Sequence, residues 1–301
     1  MNNIKMTKPI LKWVGGKTQI LDKIIPNFPN QIKNYHEIFL GGGSILFTFL
    51  SYVKEKKINI SDKIYAYDLN EPLIYVYKNI QSNHLELFNQ IQILINEFNE
   101  CQDNEINRNP LTLQDAKKSK ENYYYWIRMK YNKLNDKQSI IASAMFIFIN
   151  KTCFRGLFRI GPNGFNVPYG HYKNPEIINK EHLEEVHNLI KDVIFENCDF
   201  QTSIKKIKKG DFTYLDPPYA LENSTSFVGY TKNGFGLEQH KKLFQMCNEL
   251  KTNFVMSNSN TDLVKEYFPN DKFNRQIITA KRSINSKDPS AKTTELIIKN
   301  Y

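Results

Sequence analysis

The sequence predicts an α/β fold: a sheet built from β–α units, interrupted by an inserted helical and hairpin subdomain. Three observations predict it. Residues 1–80 and 191–301 alternate short apolar strands with helical stretches. Residues 81–190 instead read as successive helices followed by a loop region rich in Gly, Pro and Arg. Several strands also end abruptly in glycine, proline or an acid, as chains do when they leave the carboxyl edge of such a sheet. One sheet domain is therefore expected from 1–80 and 191–301, with 81–190 as the insertion.

A strand at about Tyr35–Phe39 runs into Gly41-Gly42-Gly43 and then a helix that Ser44 can cap. Glycines there let backbone approach a ligand closely. The run is neither Gly-x-Gly-x-x-Gly nor a phosphate loop with Gly-Lys-Ser/Thr, so a dinucleotide or ATP is not favoured. Ile64–Asp68 is a second strand closed by an acid, with Asn70 and Pro72 opening a helix. Asp68 can accept hydrogen bonds from a ribose diol or cap that helix. Helices follow at Leu85–Phe98, Lys120–Lys133 and Ser139–Ile149, with the polar stretch 101–109 as a linker. Within Tyr123–Tyr131 most aromatics are expected in the core, with Arg128 and Lys130 facing phosphate or solvent.

Between Phe154 and Tyr172, Pro162-Asn163-Gly164 is a turn signal that predicts a hairpin. In an extended strand Arg155, Leu157 and Arg159 share one face. Two guanidiniums beside an apolar wedge suit donation to guanine O6 and N7 in a major groove, or contact with phosphates. The sheet resumes with strands at Val193–Glu196, Phe212–Leu215 and Asn253–Met256 and helices at Leu237–Leu250 and Thr261–Phe268. A closing pair follows at Phe273–Thr279 and Thr294–Ile298.

The strand Phe212–Leu215 stops at Asp216-Pro217-Pro218-Tyr219. Each proline fixes its own φ and pushes the preceding residue into extended backbone, so neither helix nor ladder continues. Such a stiff corner holds a carboxylate, an unsatisfied carbonyl and an aromatic face in fixed relation. Two acceptors suit an NH2 donor, and Tyr219 offers a surface for a planar ring. The next segment, 220–236, reads as a lid, with Tyr230 a second aromatic or phosphate contact.

Bulk properties narrow the class. The net charge of +10 favours a polyanionic partner. Four dispersed cysteines and six histidines give no metal spacing or disulfide framework; His182 and His187 are expected to face solvent. No apolar stretch approaches a membrane span and the amino end has no signal-like core, so a cytoplasmic protein is expected.

Taken together these segments resemble the Dam-type (D12 class, alpha-group) DNA adenine N6-methyltransferases. The match takes in Lys12-Trp13-Val14-Gly15-Gly16-Lys17, Glu37–Ser44, Ile64–Asp68, Gly156–Tyr172 and Asp216–Tyr219. It ends in Lys281-Arg282-Ser283-Ile284 and Glu295–Tyr301, so it spans almost the whole chain. The resemblance implies a Rossmann-like, S-adenosylmethionine-dependent methyltransferase acting on N6 of an adenine flipped out of double-stranded DNA. It assigns S-adenosyl-L-methionine to Trp13, Lys17, Phe39, Gly41, Gly43, Asp68 and Asp216. Catalysis goes to Asp216, Pro217, Pro218 and Tyr219, with no metal. DNA contacts go to Lys12, Arg155, Leu157, Arg159 and Arg282, alongside Tyr230. Arg159 falls where the family reads a guanine. Arg155 stands where many members carry Asn, a departure from the pattern that accompanies GATC. A cognate restriction endonuclease and a monomer or weak dimer both stay open. So do two other readings of the residues: a cytosine-N4 methyltransferase and a catalytically silent DNA-binding protein.

Overall fold

Seven strands form the central sheet: β1 (Tyr35–Glu37), β2 (Ile64–Asp68), β3 (Val193–Asn197), β4 (Phe212–Leu215), β5 (Asn253–Ser259), β6 (Asn274–Lys281) and β7 (Lys292–Lys299). The computed structural model describes residues 6–220, 235–281 and 292–301. The spatial order is β6-β7-β5-β4-β1-β2-β3. Strands β1 to β5 run parallel, whereas β7 is antiparallel to both β5 and β6. From β1 the chain builds outward through β2 to β3, then returns to place β4 on the other side of β1. The order therefore reverses between β1 and β4, and open α/β sheets bind ligands outside the carboxyl ends of the strands at such a point.

Side chains alternate across the sheet, so each strand feeds two cores. Tyr35, Ala66, Phe212, Tyr214 and Val255 join one apolar cluster; Ile38, Tyr67, Leu215, Phe254 and Met256 join the other. Covering both faces is what a parallel sheet requires. The helices are α1 (Ser44–Lys54), α2 (Glu71–Asn99), α3 (Lys120–Lys133), α4 (Ile140–Thr152), α5 (Lys180–Ile190) and α6 (Leu237–Glu249). Helix α4 is apolar nearly all round because it is enclosed: Phe146, Ile147, Phe148 and Ile149 are each at most 2% exposed. At the amino edge the Asn34 side chain accepts from Lys63 N–H (2.9 Å) and donates to Asp211 (2.7 Å). One residue thus pins the starts of β1, β2 and β4 in register.

Several expectations are refined. The helix expected at Leu85–Phe98 is the second half of α2, which bends at Asn83 (φ −145°, ψ 40°). The expected domain division at residue 80 falls inside that helix. Ser44 does not cap α1: Gly43, at φ 73°, holds the cap position. The Ser44 hydroxyl instead accepts the Lys17 N–H at 3.2 Å. His182 and His187 are half-buried rather than turned to solvent, and each bonds a backbone carbonyl, of Lys8 and Ile80 respectively. The aromatics of α3 are core as expected, with Tyr123, Tyr124, Tyr125 and Tyr131 buried. Arg128, however, does not face outward alone. It donates to the Val167 carbonyl (3.0 Å) over the Tyr125 ring, tying α3 to the loop beyond the hairpin.

The hairpin itself is present: Ile160–Gly161 pairs with Gly164–Phe165 across Pro162-Asn163. The shared face expected for Arg155, Leu157 and Arg159 is not. Phe154–Gly156 is a tight 3-10 turn with Arg155 in the left-handed region (φ 55°), so the strand alternation is broken before Leu157.

Candidate active site at the sheet switch point

Strands β1 and β4 are neighbours, with Glu37 opposite Tyr214. The last bond between them runs from Ile38 N–H to the Tyr214 carbonyl (3.1 Å), after which the two chains part. One leaves as the glycine loop and the other as the Asp216–Tyr219 corner. The glycine loop turns onto the end of β2, where Leu40 N–H donates to the Tyr67 carbonyl (2.8 Å). There the Asp68 carboxylate accepts Gly41 N–H and Asn70 N–H, each at 2.9 Å. Burial raises its proton affinity and those N–H groups oppose the rise. Asn70, not Asp68, caps α2. The three sequence motifs therefore converge on one edge, at the ends of three adjacent strands.

Charge at this edge is tightly arranged. The Lys17 ammonium, 7% exposed, lies 2.7 Å from Asp216 Oδ1 and 4.7 Å over the Tyr219 ring, and it donates to the Gly15 carbonyl at 2.6 Å. Its contact with Asp216 is an ion pair more than an aligned hydrogen bond, since Oδ1 has no well-directed donor. Burial pushes the Asp216 carboxyl up to about 6; Lys17 holds it down and Glu295 pushes it up. Glu37, beneath the loop, is 2% exposed and pushed up to about 8, chiefly by burial. It accepts the Tyr35 hydroxyl at 2.8 Å. At neutral pH Glu37 holds a proton and Asp216 does not. That division leaves one ionised acceptor at the corner.

The corner is held from its far side. Ala220 N–H donates to Asn258 Oδ1 (3.2 Å), and Ser259 Oγ donates to the Ala220 carbonyl (2.5 Å). Tyr219 Oη donates to Glu295 Oε2 at 2.7 Å. Asp216 and Tyr219 stay partly accessible, while Pro217 is buried.

The glycine loop owes its glycines to Trp13 more than to open space. A Cβ on Gly41 or Gly42 would sit 2.9 or 2.8 Å from Trp13 atoms, and Gly41 and Gly43 both have positive φ. Trp13 thus packs on the loop and sets its shape. Beside it Phe39 lies 6.1 Å from Phe200 and 6.0 Å from Phe235, a small aromatic wall. An acceptor acid at the end of β2, an aromatic wall and a tight glycine turn suit a nucleoside-bearing cofactor.

A family model of the D12 class N6 adenine-specific DNA methyltransferases matches residues 13–284. The chain belongs to that family. It is 38% identical to the Type II methyltransferase M.MjaIII of Methanocaldococcus jannaschii, over 98% of this chain and 99% of that one. It is 30% identical to the DNA adenine methylase of Haemophilus influenzae (96% and 92%), and 27% identical to the Type II methyltransferase M.CviBI of a Chlorella virus, Paramecium bursaria Chlorella virus NC1A (98% and 100%). The protein is accordingly an adenine-specific DNA methyltransferase of a family that uses S-adenosylmethionine. Among its described residues no helix is long and apolar enough to cross a membrane.

The methyltransferase's other expected contacts lie around the hairpin. Lys12 Nζ sits 3.9 Å over the Tyr172 ring and donates to the Lys151 carbonyl (3.3 Å), with burial lowering its proton affinity. Arg155 N–H donates to the Tyr172 hydroxyl at 3.0 Å, and its guanidinium lies 5.3 Å from the Phe154 ring. The exposed Arg159 guanidinium is folded across the hairpin onto Asn166, 2.6 Å from Oδ1. Leu157 packs against the core instead of projecting as a wedge; the exposed apolar side chains here are Phe154 and Ile160. Tyr230 and Arg282 lie outside the described residues.

Sequence reading did not single out Glu37, Phe200, Asn258, Ser259 or Glu295 individually. Glu37 and Glu295 carried the one available signal, an acid next to an apolar run, Ile38–Leu40 and Leu296–Ile298.

Proposed function

We propose that this methyltransferase presents the exocyclic amine of a flipped-out adenine to Asp216 and the Pro217 carbonyl, with Tyr219 stacked on the base. The observation that carries this reading is the juxtaposition, at one switch point, of the Asp216–Tyr219 corner with the glycine loop tied to Asp68. Adenine N6 is a poor nucleophile because its lone pair is delocalised into the ring. Accepting both N–H hydrogens favours a pyramidal nitrogen and localises that pair. Preorganised acceptors of this kind need no strong general base. Lys17 keeps Asp216 ionised, and therefore an acceptor, in a site whose burial favours the neutral acid. Lys17 covers one face of Tyr219, so a stacked base takes the other; such stacking contributes roughly 1–3 kcal/mol toward the cost of extruding the base.

The residues fit S-adenosylmethionine, with Trp13, the Phe39–Ser44 loop and Asp68 as its holders and Phe200 added to the set. When bound, it supplies an electrophilic methyl on a sulfonium. Lys17, expected among the cofactor's holders, also pairs with Asp216. On the DNA side, Arg159 is assigned to base-edge contact, Lys12 and Arg155 to base or phosphate contact, and Phe154 replaces Leu157 as the apolar group nearest the duplex. GATC or a related short palindrome is the proposed target, and residues 81–190 the proposed target-recognition insertion. A partner endonuclease rests only on likeness to Type II methyltransferases.

The test is to incubate mixed-sequence duplex DNA with the enzyme and S-adenosylmethionine, map modified positions by long-read sequencing and weigh the nucleosides. N6-methyladenine confined to one short motif, and absent with Asp216→Ala, is expected. N4-methylcytosine, or unchanged turnover in the variant, would overturn the reading.

A further inference from the structure

We infer that Glu295 is a positioning residue for methyl transfer: its carboxylate takes the Tyr219 hydroxyl and so fixes the place of the ring on which the base stacks. This rests on the stacking role proposed for Tyr219.

A tyrosine has two side-chain rotations, and its hydroxyl is the atom farthest from the backbone. That atom lies on the axis of the second rotation, so anchoring it fixes where the ring points, while Lys17, 4.7 Å over one face, limits its tilt about that axis. The bond is 2.7 Å long and made to a carboxylate, the charge-assisted kind that holds geometry best. Burial, with Asp216 and Glu295 nearby, raises the Tyr219 hydroxyl well above the usual phenol range, so it stays a donor.

The topology explains why β7 supplies this group. Strand β7 enters the sheet antiparallel to β5, and Glu295 pairs with Ser259. Paired residues on neighbouring strands share a face. Ser259 holds the Ala220 carbonyl while Glu295 holds the Tyr219 hydroxyl, so one rung of one ladder grips two consecutive residues of the corner. A parallel strand would have offered its trailing loop at this edge. The antiparallel strand offers a residue inside the hydrogen-bonded ladder, which is more rigid.

A bland account makes Glu295 only a strand residue that happens to find a donor. Glutamate is a weak strand former, though, and here it adds a negative charge beside a carboxyl that must ionise. Stability alone gives no reason for a carboxylate at this position.

The experiment compares Glu295→Ala, Glu295→Gln, Tyr219→Phe and the double variant Glu295→Ala/Tyr219→Phe with wild type, on a duplex carrying the mapped motif. It reads kcat, KM, cofactor affinity by calorimetry and thermal midpoint. Glu295→Ala and Tyr219→Phe should each lower kcat by about 10- to 100-fold, the range of one hydrogen bond to a charged group. Cofactor affinity and midpoint should hold, and the double variant should be no worse than the poorer single. Glu295→Gln should recover most of kcat, because its amide oxygen accepts the same bond. Its acidic limb should move to lower pH, since Glu295 and Lys17 both act on Asp216, which also faces Glu37, Tyr214 and Tyr219. Multiplying losses in the double variant, or a glutamine as damaging as alanine, would overturn the inference. Should Glu295→Ala not fold, Tyr219→Phe and Glu295→Gln still decide it. Normal turnover in Glu295→Ala sinks only this inference; normal turnover in Asp216→Ala sinks the active-site reading beneath it.

Discussion

Replacing Lys17 with methionine tests the electrostatics of the site most directly. The ammonium is buried and 2.7 Å from Asp216 Oδ1, whose carboxyl stands at about 6. Burial is the largest cause of that elevation, and Lys17 is the chief influence opposing it. An opposite charge at such range lowers a carboxyl by about 1–3 pH units. Its removal should therefore carry Asp216 to about 7–9. At pH 7.5 wild-type Asp216 is about 97% ionised; in the variant the fraction falls to somewhere between about three-quarters and a few per cent. A protonated Asp216 cannot accept as the amine requires, so turnover falls with that fraction. The sign is fixed: the loss is largest in acid and shrinks as pH rises toward 9. Initial rates of labelled-methyl transfer from pH 5.5 to 9.5 read it out, with Lys17→Arg keeping the charge and the wild-type limb. A Lys17→Met profile whose acidic limb stays near pH 6, or whose loss is equal at every pH, refutes the argument.

Three other substitutions probe the scaffold and the DNA face. Glu37 keeps its proton to about 8 when folded but releases it near 4.5 when unfolded, so stability drains away as pH rises through that window. Glu37→Gln should flatten the fall in thermal midpoint between pH 5 and 8, a gain on the order of a few kcal/mol at the alkaline end; an unchanged slope refutes it. Gly42→Ala places a Cβ 2.8 Å from Trp13 Cβ, costing about 1–3 kcal/mol. Calorimetry should show weaker cofactor binding, and wild-type stability and affinity would contradict the packing argument. Arg159→Ala should relax preference at one base position by about 1–3 kcal/mol, whereas weakening that is uniform across sequences would make Arg159 a phosphate contact.

The sheet strands were legible because each is a short apolar run with a breaker at its end. Ile64–Asp68 and Phe212–Leu215 appear with the bounds their sequences indicate. What the breakers do was less legible. Glycines 41–43 signal close approach, and the partner that approaches Gly41 and Gly42 is Trp13 from the amino end, a contact that no local pattern encodes. Arg155 defeated the alternation argument because Gly156, at φ 63°, continues a turn that the flanking β-compatible residues conceal. Leu157 packs against the core for the same reason, while Arg155 stays exposed.

Long-range polar contacts are the remaining gap, and they matter more to the chemistry than the strands do. Lys17 and Asp216 lie far apart in sequence, as do Tyr219 and Glu295, yet the charges of Lys17 and Glu295 together bear on whether Asp216 is ionised. Among the described residues one cation, Lys17, pairs with Asp216, and Glu295 adds a second carboxylate nearby, with Glu37 held neutral by burial. On the proposed reading the adenine amine arrives neutral and would take on positive charge as its lone pair forms the bond to the methyl carbon and the S–C bond of the sulfonium breaks. The reacting pair would carry one positive charge throughout, so negative charge aids the transfer only where it lies nearer the amine than the sulfur, as the Asp216 carboxylate does on that reading. The two carboxylates also explain the Lys17 contact: without a cation their charge would be neutralised by protons, and the corner would lose its acceptor before any base arrived.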